Sequence, residues 1–264
     1  PSCINGNWYI TGTTNPFSLT LKDNFFTGSK DSNGISLWGD AHTVDIQDNV
    51  WKDNGAWAVN FNNVTGTFNN NKLFDVAENG ENWWDEQAGF LFASANNLTL
   101  TNNTFDGLPN PYIRIYDSFS GTFDAHNNIF KNAEDPTLGA IRISAGANLS
   151  NAKFENNSFI NVPFAVENLD SESLDASPNW WGNVAGPGAS QISGPVDFTP
   201  WCTNEGCTTF APDASGNVNL SGEVPAVPGG ILINEPGITY HLAANTTIQN
   251  ASPCFVVNAS YTKI

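Results

Sequence analysis

Asn-x-aromatic recurs along most of the chain, and this period constrains the fold more than any other feature. It stands as N-F-F at Asn24 to Phe26, N-V-W at Asn49 to Trp51, N-T-F at Asn103 to Phe105, N-I-F at Asn128 to Phe130 and N-S-F at Asn157 to Phe159. A looser copy, N-K-L-F, spans Asn71 to Phe74, and N-W-W at Asn179 to Trp181 closes the series. The intervals between terminal aromatics are 25, 23, 31, 25, 29 and 22 residues. Self-similarity at such a period marks a repeat architecture, in which each unit buries its apolar side only against its neighbours.

Each unit has the same internal grammar. A short alternating strand such as Leu98 to Leu100 leads into Asn-Asn and an aromatic. A polar or Gly turn follows, as at Phe105 to Gly107, and then another apolar strand such as Tyr112 to Tyr116. No 3.6-residue periodicity separates these strands, so a helical solenoid is excluded. The intervals are too irregular for a leucine-rich horseshoe. A single-stranded parallel β-helix fits: Asn takes the left-handed corner and bonds locally, and the aromatic after it joins an axial stack. Interval variation is then loop length, and the longest interval holds Glu78 to Glu86 as a protruding loop.

Composition narrows the partners. The 264 residues carry nine basic and 26 acidic side chains, a net charge of -17, which disfavours nucleic acid and anionic membranes. No run of about 18 apolar residues is present, so membrane insertion is not expected. The sequence starts at Pro1 without a signal peptide and has no Met, which we read as a processed or excised product in keeping with secretion. Cys202 and Cys207 form a C-x4-C pair without a ligating His, which points to a disulfide in an oxidising compartment rather than zinc, with free buried thiols as the alternative. Asn-x-Ser/Thr sequons include those that begin at Asn63, Asn97, Asn102, Asn148, Asn156, Asn219, Asn245 and Asn258. With 38 Asn and 41 Ser plus Thr, chance supplies about six such triplets, so glycosylation is permitted rather than indicated.

The end of the repeat reads N-W-W-G at Asn179 to Gly182, G-P-G at Gly186 to Gly188 and P-V-D-F-T-P-W at Pro195 to Trp201. With the N-x-F coils, this resembles right-handed parallel β-helix proteins of the pectate-lyase-like class, especially Asn-rich periplasmic or surface members. The resemblance covers roughly residues 5 to 201 and implies the fold far more firmly than any activity. It also extends to the tail. Gly237 to Leu242, Thr247 to Asn250 and Cys254 to Ser260 resemble the entry strands of such proteins, and Ile4 to Gly12 resembles their continuation.

We therefore expect an all-β chain with a right-handed parallel β-helix over 1–201, an exit cap and Pro/Gly-rich linker over 202–230, and a β extension over 231–264. That extension is either donated to the next protomer, folded back as a cap on its own chain, or part of a longer repeat protein. Donation would use Ile4, Trp8, Tyr9 and Ile10 at one end and Phe255, Val257, Tyr261 and Ile264 at the other. The resemblance puts Cys3 and Cys254 on adjacent coils, which allows a disulfide within or between chains.

The resemblance brings polysaccharide lyases and hydrolases into view, but the G-H-G and R-I-K elements and paired Asp residues of galacturonan hydrolases do not occur together here. Arg114 and Arg142, the only arginines, each stand in an apolar-Arg-apolar strand. On adjacent coils they would lie about 4.8 Å apart. We expect an exposed outward ladder neutralised by Asp117, Glu134 or Asp135, with a substrate-binding pair as the competing reading. Trp83, Trp84, Asp85 and Glu86 make the best carbohydrate contact, against simple burial of the two indoles under their loop. His42, His126 and His241 are assigned no special role. Surface acids allow Ca2+ but no dedicated cage, and no cofactor is expected. The function expected is structural and non-enzymatic: a secreted or cell-surface subunit that associates head to tail and meets surface glycans. A carbohydrate-binding or polysaccharide-degrading β-helix is the alternative.

Overall fold

The computed structural model describes the backbone of residues 2–5, 10–12, 15–27, 35–54, 59–76, 90–93, 96–107, 111–133, 135–211, 217–220, 223–224, 231–233, 239–242, 247–248 and 255–257. From Ser2 to Asp175 every strand of the repeat pairs in parallel with the strand three places away, and the last two strands pair two places back, which winds the chain into coils with three sheets. The first sheet holds β1 (Ser2–Asn5), β4 (Asn24–Thr27), β7 (Val50–Asn54), β10 (Lys72–Val76), β13 (Thr104–Asp106), β16 (Ile129–Lys131) and β19 (Ser158–Ile160). In the second lie β2 (Ile10–Gly12), β5 (Ile35–Leu37), β8 (Val59–Asn62), β11 (Phe90–Ala93), β14 (Ile113–Ile115), β17 (Ile141–Ile143), β20 (Val166–Asn168) and β22 (Ile192–Ser193). The third contains β3 (Ser18–Lys22), β6 (His42–Gln47), β9 (Val64–Asn69), β12 (Asn97–Thr101), β15 (Thr122–His126), β18 (Ala152–Glu155), β21 (Leu174–Asp175) and β23 (Val196–Asp197). The expected parallel β-helix is the architecture found.

Asn-Asn corners make the sharp step from the third sheet to the first, and the two positions divide the work. The first residue takes the left-handed conformation, at Asp23, Asp48, Asn70, Asn102, Asn127 and Asn156, with φ between 51° and 58°. The second forms a buried ladder from Asn24 through Asn49, Asn71, Asn103, Asn128 and Asn157 to Asn179. At each rung Oδ1 accepts from the backbone N–H and the Nδ2 of the Asn one coil earlier. Asn103 Oδ1, for example, lies 2.9 and 3.1 Å from those atoms of Asn71. Asn128 Oδ1 lies 2.9 Å from both atoms of Asn103. Ladder side chains bond locally as expected, Nδ2 of Asn24, Asn49, Asn71 and Asn128 donating to the carbonyl two residues earlier, and from coil to coil as well.

Two residues after each ladder Asn, a side chain points inward. Phe26, Trp51, Leu73, Phe105, Phe130, Phe159 and Trp181 form one buried column. Phe105, Phe130, Phe159 and Trp181 stack with centroids 4.9, 5.1 and 4.8 Å apart. Leu73, and not Phe74, occupies the column in the loose copy, because the inward position is fixed at two residues beyond Asn71 and Phe74 falls on the other face.

The two ends of the helix differ. At the exit, the Phe198 ring meets the edge of Trp181 at 6.5 Å, and Trp201 lies beside Phe198 at 6.3 Å. Trp201 Nε1 donates to Val184 O, and a Cβ on Gly186 would press to 2.7 Å from the Trp201 ring, so glycine is required there. The Cys202–Cys207 disulfide pins the loop that follows, and Cys202 N donates to Asn179 O at the last ladder rung. At the entry, Phe17, Leu19 and Leu21 are only half-buried against the core, whereas their counterparts one coil on, Val44 and Ile46, are buried.

Beyond the cap, β24 (Asn217–Leu220), β25 (Glu223–Val224), β26 (Ile231–Ile233), β27 (Thr239–Leu242), β28 (Thr247–Ile248) and β29 (Phe255–Val257) form three two-stranded parallel sheets. They pair as β24 with β27, β25 with β28 and β26 with β29, repeating the three-strand offset of the main helix. Strand pairing thus begins at Asn217, inside the segment read from sequence as a linker.

Candidate functional site

The outer face of the second sheet gathers the charges that carry the most chemistry. Cross-strand register places Arg114 beside Arg142 and Arg142 beside Glu167. The adjacency of the arginines follows the spacing of their I-R-I strands, but the expected solvent-exposed ladder does not form. Arg114 is 6 % exposed and its Nη2 donates to Ser144 Oγ at 3.3 Å, with its guanidinium carbon 4.9 Å from the Tyr116 ring centre. Arg142 Nε lies 2.8 Å from Glu167 Oε2. That contact is off the line of a good hydrogen bond, so it acts as an ion pair. Glu167 is thus a neutralising carboxylate of this row, and Glu134 lies outside the described residues. The signal was present in sequence, because V-E-N at Val166–Asn168 stands one coil beyond I-R-I at Ile141–Ile143.

Replacing Glu167 with Gln removes the carboxylate facing Arg142 while Arg114 stays adjacent. We expect a loss of about 2 kcal/mol in chemical denaturation, from a largely buried ion pair broken on one side. A change below about 0.5 kcal/mol would mean that the row is satisfied without it.

A second charged group lies on the outer face of the third sheet. His126 Nδ1 is 2.9 Å from Asp124 Oδ1, and register sets His126 beside Glu155 and Asp124 beside Lys153, which in turn neighbours Asp175. Burial pushes the Glu155 carboxyl up to about 7; Lys153 and His126 pull it down, while Asp124 and Asp175 push it further up. Because the folded form holds this proton more tightly than the unfolded chain, stability is greatest at acid pH and falls as pH rises from 4.5 to about 7. Glu155→Gln is expected to stabilise the protein by about 1 to 2 kcal/mol at pH 8, after discounting for partial exposure, and to change little at pH 4. Thermal melts across that range check it, and equal shifts at both pH values would contradict it.

The other sequence-selected residues are dispersed. His42 is buried and packs at a tilt against Phe17, with ring centres 4.5 Å apart. Asn97, Asn102 and Asn148 are exposed, Asn63 is half-buried, and Asn156 is 9 % exposed with its amide oxygen enclosed, leaving little room for a glycan. Ile4, Ile10, Phe255 and Val257 lie in β1, β2 and β29. Trp8, Tyr9, Trp83, Trp84, Asp85, Glu86, Tyr261, Ile264, Cys254, Asn245 and Asn258 lie outside the described residues, and Asn219 and His241 are described only as strand backbone. Sequence reasoning missed Trp38, 48 % exposed at the end of the same outer face as Arg114. Among the described residues no group of three His, Cys, Asp or Glu could hold a metal ion, and no helix is long and apolar enough to cross a membrane.

Neither a curated protein nor a solved structure matches the chain at a significant level. A model of the right-handed β-helix region matches residues 7–180. This span includes the Asn ladder and the aromatic column as far as Phe159, and the chain belongs to the right-handed β-helix family.

Proposed function

We propose that this chain is a structural unit of a secreted or cell-surface assembly in which β-helices follow one another end to end. One observation carries the reading: a helix closed by its own disulfide-pinned cap is followed by six more strands with the same three-strand offset. Solenoid coils gain stability mainly from their neighbours, so these strands gain from a further coil stacked on them. Material of this kind works by persistence, and the covalent cap and optional glycans at exposed Asn97, Asn102 or Asn148 add resistance to proteolysis.

A second reading, a polysaccharide-binding β-helix, is favoured by the Arg114, Arg142 and Glu167 row together with exposed Trp38. Electron microscopy and non-reducing gels of native material separate the two. Long regular threads or a covalent ladder support the structural reading. Short single rods that retain a soluble polysaccharide would replace it with the second.

A further inference from the structure

We propose that β27, β28 and β29 form a docking edge for the entry coil, β1 to β3, of a second copy of this chain; this rests on the end-to-end reading above. Connector lengths support the correspondence of faces, although the second-to-third step from Asn62 to Val64 is as short and the later step from Leu242 to Thr247 is longer. In the main helix the step from third-sheet to first-sheet strand is short, as from Lys22 to Asn24 and Asn69 to Lys72. The same short step runs from Leu220 to Glu223. β24 and β27 are therefore third-sheet strands, β25 and β28 first-sheet strands, and β26 and β29 second-sheet strands. A following coil that supplies first-, second- and third-sheet strands in that order fits this edge, and β1, β2 and β3 supply them.

Chain reach excludes the chain's own entry coil as the one that docks. Stacking in the helical sense would order the coils as β24, then β27, then β1 along the axis. In the chain's own helix, β23 and β3 bound an eight-stranded sheet, which spans about 34 Å, and β24 would have to sit two spacings further, about 43 Å from the exit. Only residues 212–216 separate Ala211, bonded to Trp201 O in the cap, from Asn217, and six Cα steps span at most about 22 Å. Folding back onto its own entry is out of reach.

The entry coil also has something to gain. Phe17, Leu19 and Leu21 face the core half-covered, while Val44 and Ile46 behind them are fully enclosed. A docked coil would cover them and bond the free edges of three parallel strands, which is strand addition on three faces at once. With a net charge of -17 on each copy, association is expected to strengthen with ionic strength.

Sedimentation of the 264-residue protein at rising concentration and high salt, with hydrogen exchange read by mass spectrometry, tests the pairing. The expected result is at least a doubling of mass, with amides in β3 and β27 slowed about tenfold or more. Leu19→Lys and a variant lacking 239–264 should each lose both effects, while β12 and β15 keep their protection and show that the main helix is folded. A monomer at every concentration overturns the pairing, as does association that leaves β3 and β27 unchanged. Threads in native material beside such a result would leave the end-to-end reading standing and remove this contact alone.

Discussion

Asn103→Ala is expected to lower unfolding stability by about 3 to 5 kcal/mol, one of the two largest effects of any single substitution in the helix. Asn103 is fully buried. Its Oδ1 accepts from the backbone N–H and Nδ2 of Asn71, and its Nδ2 donates to Phe68 O at 2.8 Å and Asn128 Oδ1 at 2.9 Å. Alanine strips all four bonds and leaves the Asn71 amide without this acceptor inside the corner, where no water replaces it. Each buried polar group so stranded costs about 1 to 3 kcal/mol. Because coils depend on their neighbours, hydrogen exchange should also rise in the coils on either side. Thr99→Ala, on the outer face of the neighbouring strand β12, should stay within about 0.5 kcal/mol. Urea denaturation of both variants checks this, and equal midpoints would refute a ladder that holds the corners.

Phe130→Ala should cost a similar amount, about 3 to 5 kcal/mol, for a different reason. The ring lies fully buried between Phe105 and Phe159, at 4.9 and 5.1 Å, so its loss opens a cavity in the middle of the column and ends its stacking on Phe105, Phe159 and Tyr112. The native chain already shows what the site tolerates, because Leu73 occupies the same column between Trp51 and Phe105. Phe130→Leu should therefore cost much less, about 1 to 1.5 kcal/mol. If Leu and Ala proved equally damaging, aromatic stacking and not volume would be the governing quantity.

The two kinds of prediction rest on features of unequal legibility. The Asn-x-aromatic period was visible because each coil repeats the same local requirement, a left-handed corner followed by an inward side chain. Even so, the loose copy misled. Aromatic identity drew attention to Phe74, while the backbone geometry that sets the inward direction selected Leu73. The C-x4-C disulfide was legible for the same reason, since its partners are close in sequence.

Contacts between coils were harder. Arg114 and Arg142 could be placed side by side from equivalent strands, but the carboxylate facing Arg142 came from the next strand along, and their burial depended on what covers that face. Glu155 belongs to the same class: its raised proton affinity arises from enclosure, with Asp124 and Asp175 adding to it and Lys153 and His126 opposing it. No local motif encodes that sum. The tail was read as β strands and strands are found there, yet only the pairing of β24 with β27 showed that strand pairing starts before the Pro/Gly-rich stretch.

By itself, then, the sequence determined the repeat, the parallel β-helix, the corner asparagines and the exit disulfide, because these depend on short-range geometry renewed in every coil. The tertiary structure alone decided which side chain entered the column at Leu73, which acid met Arg142 and where Glu155 lost its water. Those outcomes depend on neighbours a full coil away, at distances in the chain that vary with loop length, and burial is a property of the assembled stack rather than of any one turn.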